Sequence, residues 1–330
     1  MFSAEQKRLI NRFLLLLAGL LALLYCLAVF LYVARQPWKG FYVFADQRVA
    51  RSYRHSPARE QGIHRGDLIL SIDGKQVSGP LDVLRISKDL PKGQAVDIVF
   101  QTDSLPPRTA RVEITDAPFP VGRLIWMFVS SIIITTAYVF HYRRSEDRPT
   151  MLFYLLCVLF SVSVMAAFSW NVIAGNLVLI TPLLISGTML APVILHFFLI
   201  YPETSPLIRR FRLLGKLIYV PSLVCLLMLL VMLLRVADVI GGPSDPATIG
   251  KLLGTIRTLV LYQLGVTVAY CIASIISLWH CQQTTLHSDV KNQIKWVWWG
   301  VATAILPLIM FAALASESIA ANIFGQLQFV

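Results

Sequence analysis

The stretch from Ser56 to Gly74 constrains the fold more than any other part of the 330-residue chain. Ser56 can cap a short helix by accepting from an open amide of the first turn, and Pro57 suits that turn because its missing N–H costs nothing there. Gly62 can close the helix in the left-handed conformation, and Ile63 then points into a core. Gly66-Asp67 turns the chain into a strand over Leu68 to Ile72, whose apolar residues fit between a sheet and a helix. Asp73-Gly74 is a dipeptide that tight hairpin turns prefer, because both central residues must tolerate positive φ. Arg65-Gly66-Asp67 also spells a cell-adhesion tripeptide, but in this setting it reads as the turn.

On either side, the pattern continues as a small α+β domain. Gly40 to Ala45 and Arg48 to Tyr53 read as strands, and Leu81 to Leu90 as a helix offering Leu81, Leu84 and Ile86. Ala95 to Gln101 and Thr109 to Ile114 alternate with period two and close the sheet. The run Ser56, Pro57, Ala58, Gly62, Ile63, Gly66, Asp67, Ile69, Leu70, Ile72 and Gly74 resembles the helix–turn–strand signature of PDZ domains. In that fold a peptide adds a strand beside a sheet edge, and amides of the preceding loop hold its carboxylate. By this resemblance Gly40, Phe41, Tyr42 and Val43 form the loop and edge, and Leu84 lines the groove from the facing helix. Lys39-Gly40-Phe41-Tyr42 departs from the family's Gly-hydrophobic-Gly-Phe loop. The domain is therefore expected to contact the rest of the chain or a second subunit first, and free peptides second.

Outside this insert the chain is membrane-like. It is 56% hydrophobic and 14% charged, where a soluble domain carries about a quarter charged residues. Phe13 to Ala34 is long enough to cross a bilayer, has no cleavage site after it, and reads as an uncleaved anchor. Six further spans are expected near 121–142, 150–171, 177–200, 214–235, 256–279 and 296–316. The domains are therefore an anchor over 1–34, an insert over 35–118 and a bundle over 119–330. The fold class is a membrane all-α bundle carrying a PDZ-like α+β insert. Lys7, Arg8 and Arg12 place the N-terminus in the cytoplasm. The loops with Arg143, Arg144 and Arg148, with Arg209, Arg210, Arg212 and Lys216, and with Lys291 and Lys295 also fall inside. The insert and the loops at 171–176 and 237–255 then fall outside. The net charge of +11 thus marks topology, and no nucleic-acid surface is expected.

The spans contain essentially no ionisable residue at depth, which argues against a proton-coupled transporter. No His-Glu-x-x-His zinc pair, Gly-x-Ser-x-Gly elbow or phosphate-binding glycine loop occurs, so no catalytic residue, metal or cofactor is expected. Cys26, Cys157, Cys225, Cys271 and Cys281 lie in or beside apolar segments and read as packing residues. His141, His196 and His280 sit near the cytoplasmic ends of spans. A haem or metal site is one reading of them; side chains reaching headgroups is the favoured one. Pro182, Pro192, Pro221 and Pro307 fall inside spans, where membrane helices tolerate kinks.

Two further stretches carry a resemblance: Leu195-His196-Phe197-Phe198-Leu199-Ile200-Tyr201-Pro202-Glu203 and Gln293-Ile294-Lys295-Trp296-Val297-Trp298-Trp299-Gly300. With one anchor, an outside PDZ-like domain and a multi-span bundle, they resemble the N-terminal sensor half of ComP-like bacterial sensor histidine kinases. That family implies a quorum-sensing receptor in the bacterial cytoplasmic (inner) membrane. It would respond to an extracellular peptide pheromone or small signal molecule, act as a homodimer, and pass the signal to a cytoplasmic response regulator. Seven spans leave the C-terminus outside, so an eighth helix and an output domain are expected beyond Val330. The alternatives are a PDZ-type membrane adaptor capturing protein C-termini and, third, a small-molecule permease.

Overall fold

The structure, a computed structural model, describes residues 4–43, 47–52, 56–77, 82–83, 86, 90–103, 105–116, 121–143, 147–167, 169–173, 176–211, 213–241, 246–285 and 287–299. It divides into two compact units, one taking in Tyr32–Pro120 and the other built from helical segments including Val121–Arg235.

In the first unit, Ser56 caps helix α2 (Pro57–Glu60) by accepting from the Arg59 amide at 3.3 Å. Gly62 follows at φ +86°, the left-handed value that ends a helix without strain. Strand β4 (Leu68–Ile72) turns through Asp73 and Gly74, at φ 52° and 70°, into the two-residue β5 (Lys75–Gln76). Strands β6 (Ala95–Gln101) and β7 (Arg108–Glu113) complete an antiparallel sheet in the order β5-β4-β6-β7. Along β6, Val96, Ile98 and Phe100 face inward while Asp97 is exposed, and Ala110 and Val112 do the same on β7. They bury against Ile63, Ile69, Ile72, Val83, Ile86, Leu90 and Ile114. Val83 and Leu90 are core residues that the helical pattern at Leu81 to Leu90 did not single out; Leu81 and Leu84 lie outside the described residues.

The strands expected over 40–45 and 48–53 are found within those bounds, and one further short pairing was not legible in the sequence. β2 (Phe41–Val43) and β3 (Val49–Ser52) form a separate antiparallel pair with a bulge between Tyr42 and Val43. β1 (Pro37–Trp38) pairs with β8 (Thr115–Asp116), so the chain enters and leaves this unit through neighbouring strands. Two-residue strands are too short to show a period.

The second unit is helical. Six segments of the described residues are long and apolar enough to cross a membrane: Leu9–Ala34, Leu124–Arg143, Arg148–Ala167, Leu177–Ile200, Leu214–Val236 and Gly254–Thr284, as in a multi-pass membrane protein. They belong to α1 (Ala4–Ala34), α3 (Val121–Arg143), α4 (Arg148–Ala167), α6 (Leu177–Ile200), α8 and α9 (Leu214–Leu217 and Val220–Gly241) and α10 (Pro246–Thr284). Short helices α5 (Trp170–Ile173) and α7 (Pro206–Arg210) lie between them.

The structure alters several expected spans. The one expected to reach 171 stops at Ala167, before the separate turn of α5. The span expected over 214–235 is interrupted at Ile218 and Tyr219. Pro221 accounts for the break, because its ring clashes with the carbonyl four residues back, that of Leu217. α10 runs well past both ends of its expected span. Of the seventh span, expected over 296–316, only residues 296–299 are described, and they belong to the helical residues 288–299, α11.

Candidate functional site: the β2 edge and the helix clasps

The expected peptide groove centres on β2. Phe41 is 2% exposed and belongs to the core, so its ring is committed to packing and only its backbone is left for a ligand. Val43 packs against the same core. Tyr42 pairs with Arg51 across the hairpin, and Leu84 lies outside the described residues. Gly40 is buried at φ +84°, and a Cβ there would overlap the Ser56 side chain. Its glycine identity is thus explained by the approach of the α2 cap. The Lys39 ammonium lies 5.1 Å from the Phe41 ring centroid. Burial pushes this ammonium down to about 8.

This packing makes a prediction. Gly40→Ala should lower the stability of the unit by about 2–3 kcal/mol, combining an unfavourable φ with overpacking against Ser56. Chemical unfolding of the full chain, followed through this unit, measures it. Wild-type stability would mean that Ser56 moves aside easily and that packing does not explain Gly40.

The Gly66-Asp67 turn is held by a buried carboxylate. Asp67 is 2% exposed; one oxygen accepts from the His64 amide at 2.7 Å and the other from the Thr102 hydroxyl at 2.8 Å. Arg48 donates to the Gly66 carbonyl at 2.8 Å, and Ser52 donates to that of Ile63 at 2.9 Å. The motif residues therefore work on one another and on the β6–β7 connection.

Within the helical unit, side chains of one helix repeatedly grip the backbone of another. The Tyr154 hydroxyl on α4 donates to the Leu15 carbonyl of α1 at 2.7 Å. A Cβ at Gly19, one turn on, would fall inside that hydroxyl. Tyr25 of α1 donates to the Leu179 carbonyl of α6 at 2.7 Å. Gln263 of α10, buried at mid-helix, donates to the Thr188 carbonyl of α6 at 3.2 Å, with Ser222 of α9 at 3.5 Å. Tyr270 of α10 donates to the Ile218 carbonyl at 2.6 Å. Single aromatic or amide residues in apolar runs are the only signal for these contacts, and the sequence reading missed them.

The histidines behave differently from one another. His141 is 1% exposed, which overturns the headgroup-reaching reading for it. Its Nδ1 shares a hydrogen bond with Thr150 at 3.3 Å, and its ring stacks on Tyr154. Packing of α3 against α4 removes it from the surface. His196 is half-buried, with Nδ1 2.9 Å from the Tyr219 hydroxyl. His280 is exposed. Among the described residues, no three His, Cys, Asp or Glu side chains converge as a metal site would require. The stretches at Leu195 to Glu203 and Gln293 to Trp299 each bond to residues near the end of α10. Ser277 donates to the Phe198 carbonyl at 3.1 Å, Thr285 to the Glu203 carboxylate at 3.1 Å, and Trp298 to the Gln282 side chain at 3.0 Å.

Residues 48–102 match the PDZ domain family. Among solved structures, the chain is similar to a serine endoprotease from Yersinia pestis (18% identity, TM-score 0.23, covering 25% of this chain and 30% of that one). It is also similar to the HtrA-type protease AlgW with decapeptide (26% identity, TM-score 0.23, 25% and 30%). A third is an aminopeptidase N family protein from Idiomarina loihiensis (23% identity, TM-score 0.23, 26% and 15%). Each similarity spans less than a third of the other chain's length. No curated protein matches.

Proposed function

We propose that this chain is the signal-receiving module of a bacterial membrane receptor. Its PDZ domain faces outward, and a bundle of seven spans relays an extracellular signal to a cytoplasmic histidine kinase or similar output domain. The signal is a secreted peptide or small molecule, the working unit is a homodimer, and the chain itself carries no catalytic activity, cofactor or nucleic-acid contact. Ligand contacts that differ between two packings of the bundle would shift their populations. The observation that supports this reading is the path of α1. It leads directly into the PDZ unit, whose ends are zipped by β1 and β8, and it is gripped by Tyr154 of α4 and by its own Tyr25 on α6.

A second reading, an adaptor that captures protein C-termini, draws on β2. Among the described residues this strand pairs on one side only, with β3, as strand addition requires. Amidated and free-carboxylate versions of the same C-terminal peptides separate the two readings. Binding lost on amidation supports the adaptor; binding indifferent to it supports the receptor.

Orientation tests the receptor reading directly. Cysteines introduced at Gln76, which is exposed, and at Ser244 should react with a membrane-impermeant thiol reagent on intact cells, with any outer membrane permeabilised. One at Ser145 should not. Labelling at Ser145 without labelling at Gln76 would place the PDZ domain inside and end the receptor proposal.

A further inference from the structure

Helix α6 carries two prolines, Pro182 and Pro192. A proline inside a helix has no N–H for the carbonyl four residues earlier and pushes that carbonyl aside. For Pro192 that carbonyl is Thr188, the group to which Gln263 of α10 donates. Gln263 therefore supplies from a neighbouring helix the donor that α6 lacks. An unpaired carbonyl in an apolar interior is costly, so the contact is a specific one. The other proline turn is engaged from a different helix: Leu179, three residues before Pro182, accepts from Tyr25 of α1. α1 is the helix that leads into the PDZ unit, and α10 is the one near whose end the stretches at Leu195 to Glu203 and Gln293 to Trp299 bond.

We propose that α6 transmits movement between α1 and α10, its two proline turns each clasped by a side chain from a different neighbour, Tyr25 on one and Gln263 on the other. The proposal deepens the receptor reading and rests on it: the moving part of the bundle is a continuous helix whose hydrogen-bond ladder lacks a donor at two points. A rotation of α1 that shifts Tyr25 changes the Pro182 turn, and the segment between the prolines carries the change to Thr188 and Gln263.

The test is a double-mutant cycle on the full chain in lipid nanodiscs, read as thermal unfolding. Tyr25→Phe and Gln263→Met should each lower Tm by about 2–5 °C. Their acceptors lie nine residues apart, roughly 13 Å along a helix, a separation at which independent sites add. A transmitting α6 predicts that the double variant departs from the sum of the single shifts by about 2 °C or more. A smaller departure, or a single variant without effect, overturns the proposal. The clasp itself is tested by Pro192→Ala, which restores a helical donor for the Thr188 carbonyl. Gln263→Met should then lower Tm by less than half as much as with Pro192 present, and an equal drop overturns the clasp. Should Pro192→Ala not fold, amide exchange of Gln263→Met decides. Exchange in α6 around Leu184 to Leu195 should rise at least about threefold while the PDZ unit stays unchanged; an unchanged α6 is the contrary result. None of these readouts depends on which side the PDZ domain faces. A failed cycle alongside correct cysteine labelling therefore leaves the receptor reading standing.

Discussion

Gly19→Val should destabilise the helical unit by about 2–4 kcal/mol, the sum expected for overpacking and a lost buried hydrogen bond. A Cβ at Gly19 would fall inside the Tyr154 hydroxyl, and Tyr154 cannot retreat while it donates to Leu15 and stacks on His141. The larger valine must push α1 away from α4. With the exposed Cys271 and half-buried Cys281 replaced by serine, unfolding can be followed with a thiol-reactive dye, because Cys26, Cys157 and Cys225 are buried and become reactive only as the bundle opens. Tyr154→Leu removes the obstructing hydroxyl and should restore a good part of the loss in the double variant. A Gly19→Val protein that unfolds like wild type, or one that Tyr154→Leu does not help, would show that α1 and α4 do not meet in this way.

Asp67→Ala should cost the PDZ unit about 2–4 kcal/mol, because it strands the His64 amide and the Thr102 hydroxyl, both partners of a buried carboxylate. Asp67→Asn should cost less, since its amide oxygen can still accept from one of the two donors while its NH2 faces the other. The expected order is wild type, then Asn, then Ala, read by denaturant unfolding or by amide exchange along β4 and β6. Equal stability for Ala and wild type would mean that the Gly66-Asp67 turn holds by backbone geometry alone. The comparison matters for function as well. This aspartate belongs to the motif that marks the domain, yet its contacts are structural, so its loss should act on folding and not on ligand choice.

Gly40 carries a similar lesson. The resemblance to PDZ domains assigned it to a carboxylate-binding loop. Its surroundings explain it by packing, because Ser56 leaves no room for a side chain. Phe41 is likewise spent on the core. Phe41 itself can therefore offer a peptide only backbone, which gives affinity with little selectivity.

Local chemistry was readable directly from the chain. The Ser56 cap, the left-handed Gly62, the Asp73-Gly74 hairpin and the period of β6 each depend on residues a few positions apart, and each is where the pattern placed it. The length of the apolar runs likewise located six membrane-length helices, because hydrophobic span is a property of consecutive residues. Tertiary structure alone decided what those helices do to one another. Tyr25 meets a carbonyl 154 positions away, and Gln263 one 75 positions away. Neither side chain differs in sequence from an ordinary polar residue in an apolar run. Proline at 192 announces an open carbonyl at Thr188, but only the packed bundle determines which neighbouring donor fills it. The burial of His141 and the pairing of β1 with β8 were decided in the same way, by surfaces that exist only once distant segments have come together.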